Sequence, residues 1–147
     1  MKGKYISVYV DSNILINYCN RIKVDCDALK YLFKKRRREV LFTSTLAIAQ
    51  TIARLQTYTK KRKAYTSEQV VAMLEDVLPH FTIIDFTQQD IINALAVDCK
   101  DLEDCLHFII SRKRKCSCIL TNNTKDFSAF NVDCVTPQLG VLKTKIQ

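Results

Sequence analysis

Apolar residues along this chain fall into short runs that alternate with longer stretches of helical periodicity. The runs are rich in β-branched and aromatic residues and predict buried strands at 4–10, 40–43, 82–85 and 118–121, with a weak fifth at 132–135. Between them, apolar positions three or four residues apart predict helices from residue 14 onward and over 25–38, 45–58, 67–78, 88–96 and 101–115. Short buried strands alternating with helices are typical of a parallel sheet covered on both faces. We therefore predict a three-layer α/β/α sandwich around a central parallel sheet of about five strands.

Length and composition indicate one ordinary domain spanning residues 1–147, with a hydrophobic share of 48%. No stretch approaches the roughly 18 apolar residues of a membrane span, and the first residues lack the apolar run of a secretory signal. The cysteine count is seven, and an odd number with apolar neighbours indicates reduced thiols. We therefore expect a cytoplasmic protein that makes no contact with membranes.

Glycine content and charge narrow the function classes. The only glycines are Gly3 and Gly140, which excludes a P-loop and a dinucleotide-binding loop, since each needs several glycines in one turn.

Residues 1–74 carry 15 basic and 5 acidic side chains, whereas residues 75–147 carry 8 basic and 10 acidic side chains. A basic half suits an anionic partner such as RNA, although solvated helix faces explain the charge equally well. The candidate RNA contacts are the basic side chains of two runs: Lys34, Lys35 and Arg36, and Lys60, Lys61 and Arg62.

Acidic residues are placed to converge at one edge of the predicted sheet. Asp11 directly follows the first strand, Asp126 lies beyond the fourth, and Asp104 opens a helix one turn after Asp101. Each alone is explained as a helix cap, but ligands of parallel sheets bind beyond the carboxyl ends of the strands. Clustered carboxylates repel and become tolerable around a cation, and oxygen ligands without clustered His or Cys select Mg²⁺ or Mn²⁺. The pattern therefore predicts a divalent-metal site suited to phosphodiester hydrolysis.

Three blocks of sequence occur in an order that resembles a known family. They read VYVDSNIL at 8–15, DLEDCL at 101–106 and ILTNNTKDF at 119–127. Together they resemble the PIN domain, the metal-dependent nuclease fold of VapC-type toxins and of several RNA-processing proteins. The resemblance extends over nearly the full length and implies an endoribonuclease that leaves a 5′-phosphate and a 3′-hydroxyl.

The resemblance also implies roles for individual residues. Asp11, Asp104 and Asp126 would be the catalytic residues and would bind Mg²⁺ or Mn²⁺, with Asp101 as an outer ligand. The side chains that would support these ligands are Ser12, Asn13, Gln50 and Asn123. The nearest relatives imply a toxin held inactive by a cognate antitoxin, and many of them form homodimers.

One departure from the family pattern leaves a second function open. Similar proteins commonly carry a Glu six residues after the Ser that opens the second core helix, and counting from Ser44 that position is Gln50. A neutral amide still has an oxygen to offer but contributes no charge. The alternative is therefore a catalytically impaired PIN domain that binds RNA or protein. His107, one turn after Asp104, is either an acid, base or phosphate contact or a flanking side chain.

Two other enzyme or signalling classes match the chain poorly. A metal-dependent phosphatase of the common α/β kind needs Asp-x-Asp after the first strand, where this chain has Asp11-Ser12-Asn13. A phospho-accepting receiver domain needs paired acids at that point, which are absent.

Overall fold

Five short parallel strands form the centre of the structure, a computed structural model that describes residues 5–35 and 40–146. The strands are β1 (Val8–Val10), β2 (Leu41–Ser44), β3 (Thr82–Ile84), β4 (Cys118–Leu120) and β5 (Asp133–Val135). Their order across the sheet is β3-β2-β1-β4-β5, and every neighbouring pair is parallel. The chain leaves β1 toward β2 on one side and returns to β4 on the other. The carboxyl ends of β1 and β4 are therefore the point where the direction of winding reverses, which is where α/β sheets bind ligands.

Seven helices of the described residues pack around this sheet. They are α1 (Ser12–Cys19), α2 (Lys23–Lys35), α3 (Thr45–Leu55), α4 (Ser67–Val77), α5 (Gln88–Leu95), α6 (Leu102–Lys113) and α7 (Leu139–Lys145). Side chains of β1 alternate between two cores: Val8 and Val10 pack with apolar residues of α1, α2 and α7, whereas Tyr9 packs with Ile110 of α6. Because successive strand residues point to opposite faces, this alternation places a helical layer on each side of the sheet. The predicted three-layer α/β/α sandwich is confirmed.

Helix starts follow the capping chemistry of the sequence. The Ser44 hydroxyl accepts a hydrogen bond from the backbone N–H of Ala47 and begins α3. Thr87 and Asp90 form a reciprocal capping box at α5. Asp90 is buried, and its charge is matched by Lys113, whose ammonium lies 2.9 Å from the carboxylate. This contact ties the start of α5 to the end of α6.

Several predicted boundaries differ from the structure. β1 begins at Val8 rather than at residue 4, because Tyr5 forms an isolated bridge with Ile146 instead of continuing the strand. α3 ends at Leu55, and the predicted end of α2 at 36–38 lies outside the described residues. α7 was not predicted. Within residues 5–35 and 40–146, no helix is long and apolar enough to cross a membrane.

The unpredicted helix α7 closes one face of the core through Leu142, which is fully buried against the cluster that contains Val8 and Leu29. We expect Leu142→Ala to lower the free energy of unfolding by about 2–5 kcal/mol, since it removes buried methyl groups and leaves a cavity. Urea denaturation followed by circular dichroism measures the loss. Exposed Lys143, the next residue, supplies the control: Lys143→Ala should change stability by less than about 0.5 kcal/mol, and equal effects would contradict this role of α7.

Candidate active site

Asp11 lies at the centre of the edge where β1 and β4 end. Its backbone N–H donates to the carbonyl of Leu120, so it is the last residue that the β1–β4 pairing holds. The residue is only 5% exposed although its side chain is a carboxylate. A buried carboxylate is tolerated only when hydrogen bonds or a cation replace its water, and the surrounding residues supply the hydrogen bonds.

Three donors surround the Asp11 carboxylate. Oδ1 accepts from the backbone N–H of Ser12 at 2.7 Å, and Oδ2 accepts from Asn13 Nδ2 and from Thr121 Oγ1, each at 2.9 Å. The Ser12 hydroxyl approaches Oδ1 only at 3.5 Å. Asn13 also donates to Thr121 Oγ1 at 3.0 Å, so Asp11, Asn13 and Thr121 are all hydrogen-bonded to one another at the ends of β1 and β4. Ser12 and Asn13 thus both contact Asp11, and Thr121 is a further contact that the sequence analysis did not name.

A second layer of amides extends this network to α2. Asn13 Oδ1 accepts from the backbone N–H of Asn122 at 3.1 Å, and Asn122 Nδ2 donates to Asp25 Oδ1 at 2.9 Å. Asp25 is 2% exposed and lies in the first turn of α2. The sequence shows Asp25 only as a helix-start acid, so nothing in it signalled this link. The contact anchors the start of α2 to the loop after β4.

Asp101 and Asp104 occupy the first turn of α6. Asp101 caps the helix, because its Oδ1 accepts from the backbone N–H of Asp104 at 3.1 Å. Burial, together with the charges of Asp101, Asp126 and Asp11, raises the pKa of Asp104 to about 7. The other three predicted acids therefore lie near enough to Asp104 to act on its charge.

Asp126 and Asn123 lie in the loop after β4. Asp126 is exposed within the 3₁₀ turn Thr124–Phe127, and its backbone N–H donates to the Asn123 carbonyl. The backbone N–H of Asn123 donates to Thr121 Oγ1 at 3.1 Å, whereas its side chain is exposed. A cavity of about 550 Å³ opens beside Asp101, Asp104 and Asp126, with Lys125 on its wall. The carboxylates thus border an open space that is large enough for part of a substrate.

Comparison with known proteins identifies the family. The sequence profile of the PIN domain matches residues 8–132. The chain belongs to the PIN domain family. Among curated proteins, no sequence matches this chain.

Solved structures with this PIN fold include proteins of toxin–antitoxin systems. A toxin–antitoxin complex from Klebsiella pneumoniae is 22% identical, with a TM-score of 0.63 over 89% of this chain and 98% of that chain. VapBC2 from Rickettsia felis, bound to a DNA fragment from its promoter, is 19% identical, with a TM-score of 0.62 over 89% and 98%. VapC20 from Mycobacterium tuberculosis, a toxin that cleaves the Sarcin-Ricin loop, is 18% identical, with a TM-score of 0.62 over 86% and 96%. At these identities the likeness concerns the fold.

Gln50 is held by a buried chain of polar side chains. Its Oε1 lies 2.7 Å from His107 Nε2, and His107 Nδ1 lies 2.6 Å from the hydroxyl of Tyr9. The Tyr9 hydroxyl in turn lies 2.7 Å from Ser44 Oγ at the start of α3. His107 Nε2 is also 3.6 Å from Asp11 Oδ1, so the chain ends against the central carboxylate.

His107 is a buried member of this PIN site and not a surface contact. It is 2% exposed, and burial lowers its pKa, which opposes the raising effect of the Asp11 charge. The imidazole is therefore neutral at pH 7. Burial likewise raises the pKa of Tyr9, so its hydroxyl keeps its proton.

The predicted RNA-contact residues do not all gather at the carboxylates. Lys34 and Lys35 are exposed at the end of α2. The start of α2 contacts the loop after β4, whereas near its end Phe33 stacks on His80, which precedes β3. The helix therefore runs from the acidic edge of the sheet to the opposite edge, and its two lysines lie at the far end. Arg36 lies outside the described residues.

The second basic run follows α3. Lys60 and Lys61 are exposed, but the Arg62 guanidinium is engaged within the protein. It donates to the backbone carbonyls of Leu55, Lys63 and Arg54 and lies over the ring of Tyr65. Arg62 thus closes the end of α3, where a cation suits the helix dipole.

The raised pKa of Asp104 predicts a pH dependence of stability in the metal-free protein. Because the folded pKa of about 7 exceeds the ordinary value of 3.8, the folded state binds more protons than the unfolded state between these values. Stability therefore rises as pH falls from 8 to 6. We expect Asp104→Asn to melt at a higher temperature than the wild type at pH 8, and the difference to shrink by pH 6. Differential scanning fluorimetry in EDTA measures it, with Glu75→Gln, which alters an exposed acid on α4, as the control, and a difference that is constant with pH would contradict the prediction.

The Tyr9 hydroxyl joins the start of α3 to α6, and its removal should destabilise the folded protein. Tyr9→Phe leaves Ser44 Oγ and His107 Nδ1 without this buried partner, so we expect a loss of about 1–3 kcal/mol in the free energy of unfolding. Urea denaturation measures it. Tyr58, which is 71% exposed, provides the matched control, and Tyr58→Phe should be neutral. A neutral Tyr9→Phe would show that the chain adds nothing to stability.

Proposed function

We propose that the protein is a divalent-metal-dependent endoribonuclease that hydrolyses RNA phosphodiester bonds. The observation that carries this proposal is the meeting of Asp11, Asp101, Asp104 and Asp126 at the carboxyl ends of β1 and β4, beside an open cavity. Burial and the like charges of the other acids raise the pKa of Asp104, and a cation would relieve the repulsion. Membership of the PIN family supports the same chemistry.

The donor set fits Mg²⁺ or Mn²⁺ because its ligands are carboxylate oxygens. In the part of the chain that the structure describes, no three His, Cys, Asp or Glu side chains lie close enough to enclose one ion. Mg²⁺ is usually held by one or two carboxylates and several waters, and Asp11 and Asp104 would be those carboxylates. Asp126 and Asp101 would contact the waters. When bound, the ion would activate water and neutralise charge on the phosphate.

The chain's own residues contribute orientation. Asn13 and Thr121 hold both the position and the direction of the Asp11 carboxylate, so little ordering is left for substrate binding to achieve. Asp104, with a pKa of about 7, retains its proton in part of the molecules at neutral pH. A cation would displace that proton, so metal binding would strengthen as pH rises through 7.

The proposed biological role is that of a toxin held inactive by a cognate antitoxin. The supporting observation is the likeness to structures described as toxin–antitoxin complexes, among them the Klebsiella pneumoniae complex and VapBC2 of Rickettsia felis. RNA as the substrate rests on the family, on the net charge of +8 and on the name of VapC20 as a Sarcin-Ricin loop cleaving toxin. The cytoplasmic location and the homodimer stay predictions.

A second candidate function is a PIN domain that binds RNA without cleaving it. The observation that favours it is Gln50, whose Oε1 contacts His107 at the position where similar proteins commonly have a Glu. One carboxylate fewer weakens divalent-ion binding.

Cleavage of a mixed single-stranded RNA pool tests the nuclease proposal. We expect fragments with Mn²⁺ or Mg²⁺, none in EDTA, and a rate at least about 100-fold lower in Asp104→Asn, because that change removes a proposed metal ligand. Gel electrophoresis of end-labelled RNA provides the measurement. Glu75→Gln alters an exposed acid on α4 and should retain activity.

The outcomes separate the two candidates. Cleavage that persists in EDTA or in Asp104→Asn would contradict the metal-dependent mechanism. Failure of the wild type to cleave, together with RNA binding in EDTA, would instead favour the binding module.

A further inference from the structure

The oxygen of the Gln50 amide is hydrogen-bonded to His107 inside the protein. A continuous chain of hydrogen bonds leads to it from the start of α3. The backbone N–H of Ala47 donates to Ser44 Oγ at 3.0 Å, and contacts of 2.7, 2.6 and 2.7 Å then join Ser44 to Tyr9, Tyr9 to His107, and His107 to Gln50. The direction of this chain decides which end of the amide faces outward.

The donor and acceptor groups of each residue set the direction of the chain of hydrogen bonds. The backbone N–H of Ala47 can only donate, so Ser44 Oγ accepts there and its own proton needs an acceptor, which Tyr9 Oη provides. Tyr9 then donates to His107 Nδ1, and His107 Nε2–H donates to Gln50 Oε1. The reverse direction would place the Nε2 lone pair 3.6 Å from the Asp11 carboxylate and leave the buried Ser44 proton without this acceptor.

Gln50 therefore presents its NH₂ group to the outside. The residue lines a groove of about 560 Å³ between α1 and α3, which Ser12 and Asn13 of the acidic site and Glu103 at the start of α6 also line. Within residues 5–35 and 40–146, no group accepts a hydrogen bond from Gln50 Nε2 or pairs with the Arg54 guanidinium. Arg54 lines the same groove one helical turn after Gln50, so the two donors lie on one face of α3.

We propose that Gln50 and Arg54 are RNA-binding residues, which contact phosphate oxygens of the strand that lies in this groove, and that Gln50 is not a metal ligand. The inference rests on the proposed nuclease function and specifies how its substrate is held. A donor amide and a guanidinium one turn apart suit the anionic backbone, and guanidinium groups bind phosphate through two parallel hydrogen bonds. A carboxylate at position 50 would repel the same strand.

Two binding measurements on intact protein separate the donor role from a ligand role. Fluorescence anisotropy with a labelled single-stranded RNA in EDTA reports RNA affinity without cleavage, and electron paramagnetic resonance with Mn²⁺ alone reports metal affinity. The variants are Gln50→Ala, Gln50→Glu and Arg54→Ala. The matched control is Arg112→Ala, in the last turn of α6, which begins at the acidic site and runs roughly 12 Å farther between Asp104 and Arg112.

We expect the RNA Kd to rise about 3- to 10-fold in Gln50→Ala and at least about 10-fold in Arg54→Ala and Gln50→Glu, since the last two remove or oppose charge at the backbone. The Mn²⁺ Kd of Gln50→Ala should stay within about twofold of the wild type. Arg112→Ala should change neither constant by more than about twofold. Melting temperatures close to that of the wild type would establish that the variants are folded.

The opposite results would overturn the inference. A Mn²⁺ Kd raised fivefold or more in Gln50→Ala with unchanged RNA binding would identify Gln50 as a metal ligand. Tighter RNA binding or faster cleavage in Gln50→Glu would also overturn the inference, as would wild-type protein that binds no RNA. If wild-type protein cleaves nothing but loses RNA affinity in Gln50→Ala and Arg54→Ala, the nuclease proposal fails and the groove assignment stands.

Discussion

The hydrogen bond between Asp11 and Thr121 depends on the neighbouring positions of β1 and β4, and the rest of the site depends on it. The two residues are 110 positions apart in the chain, yet their side chains meet at 2.9 Å because each directly follows one of two paired parallel strands. Asn13 bonds to both and so fixes the entry to α1. A shift of one residue in this register would turn the Asp11 side chain to the other face of the sheet. The register of the central strands is therefore a requirement of the site as well as of the core.

The acidic edge is held together against its own charge. Asp11 is almost fully buried, and burial together with the charges of the other aspartates raises the pKa of Asp104 to about 7. Hydrogen bonds compensate at Asp11, and a helix start compensates at Asp101, whose carboxylate accepts from the backbone. Neither device supplies a positive charge. The basic residues of the first half do not supply it either, because Lys34 and Lys35 lie at the far end of α2 and Arg62 binds backbone carbonyls. Lys125 lies on the wall of the adjoining cavity, and the proposed metal ion would add further positive charge at this edge.

Sequence reasoning predicted the layers of the fold and the positions of the acids, since both depend on local signals. A run of apolar residues followed by Asp marks the end of a strand, so the local sequence is enough to assign Asp11 to the edge of the sheet. The polar support behind it was not visible in this way. Tyr9 has the pattern of a core strand residue, and His107 lies among the buried residues of α6, but only the packing of α6 on the sheet brings them together. Asp25 was missed for the same reason, because its partner Asn122 is 97 residues away.

The amide at position 50 is best understood from its contact with His107. A carboxylate at position 50 would stand beside Asp11 in a region where His107 is buried and neutral, so it would add a further charge to an edge that already raises the pKa of Asp104. The neutral amide of Gln50 adds no negative charge to this edge. It is a hydrogen-bond acceptor toward His107 and offers a donor on its other side, which a carboxylate cannot do. In the proposed site, an amide at position 50 therefore favours an anion over a cation, at a point where the acidic edge and the groove between α1 and α3 meet. The proposed ion would then depend on Asp11 and Asp104, and the proposed RNA strand would depend on α3.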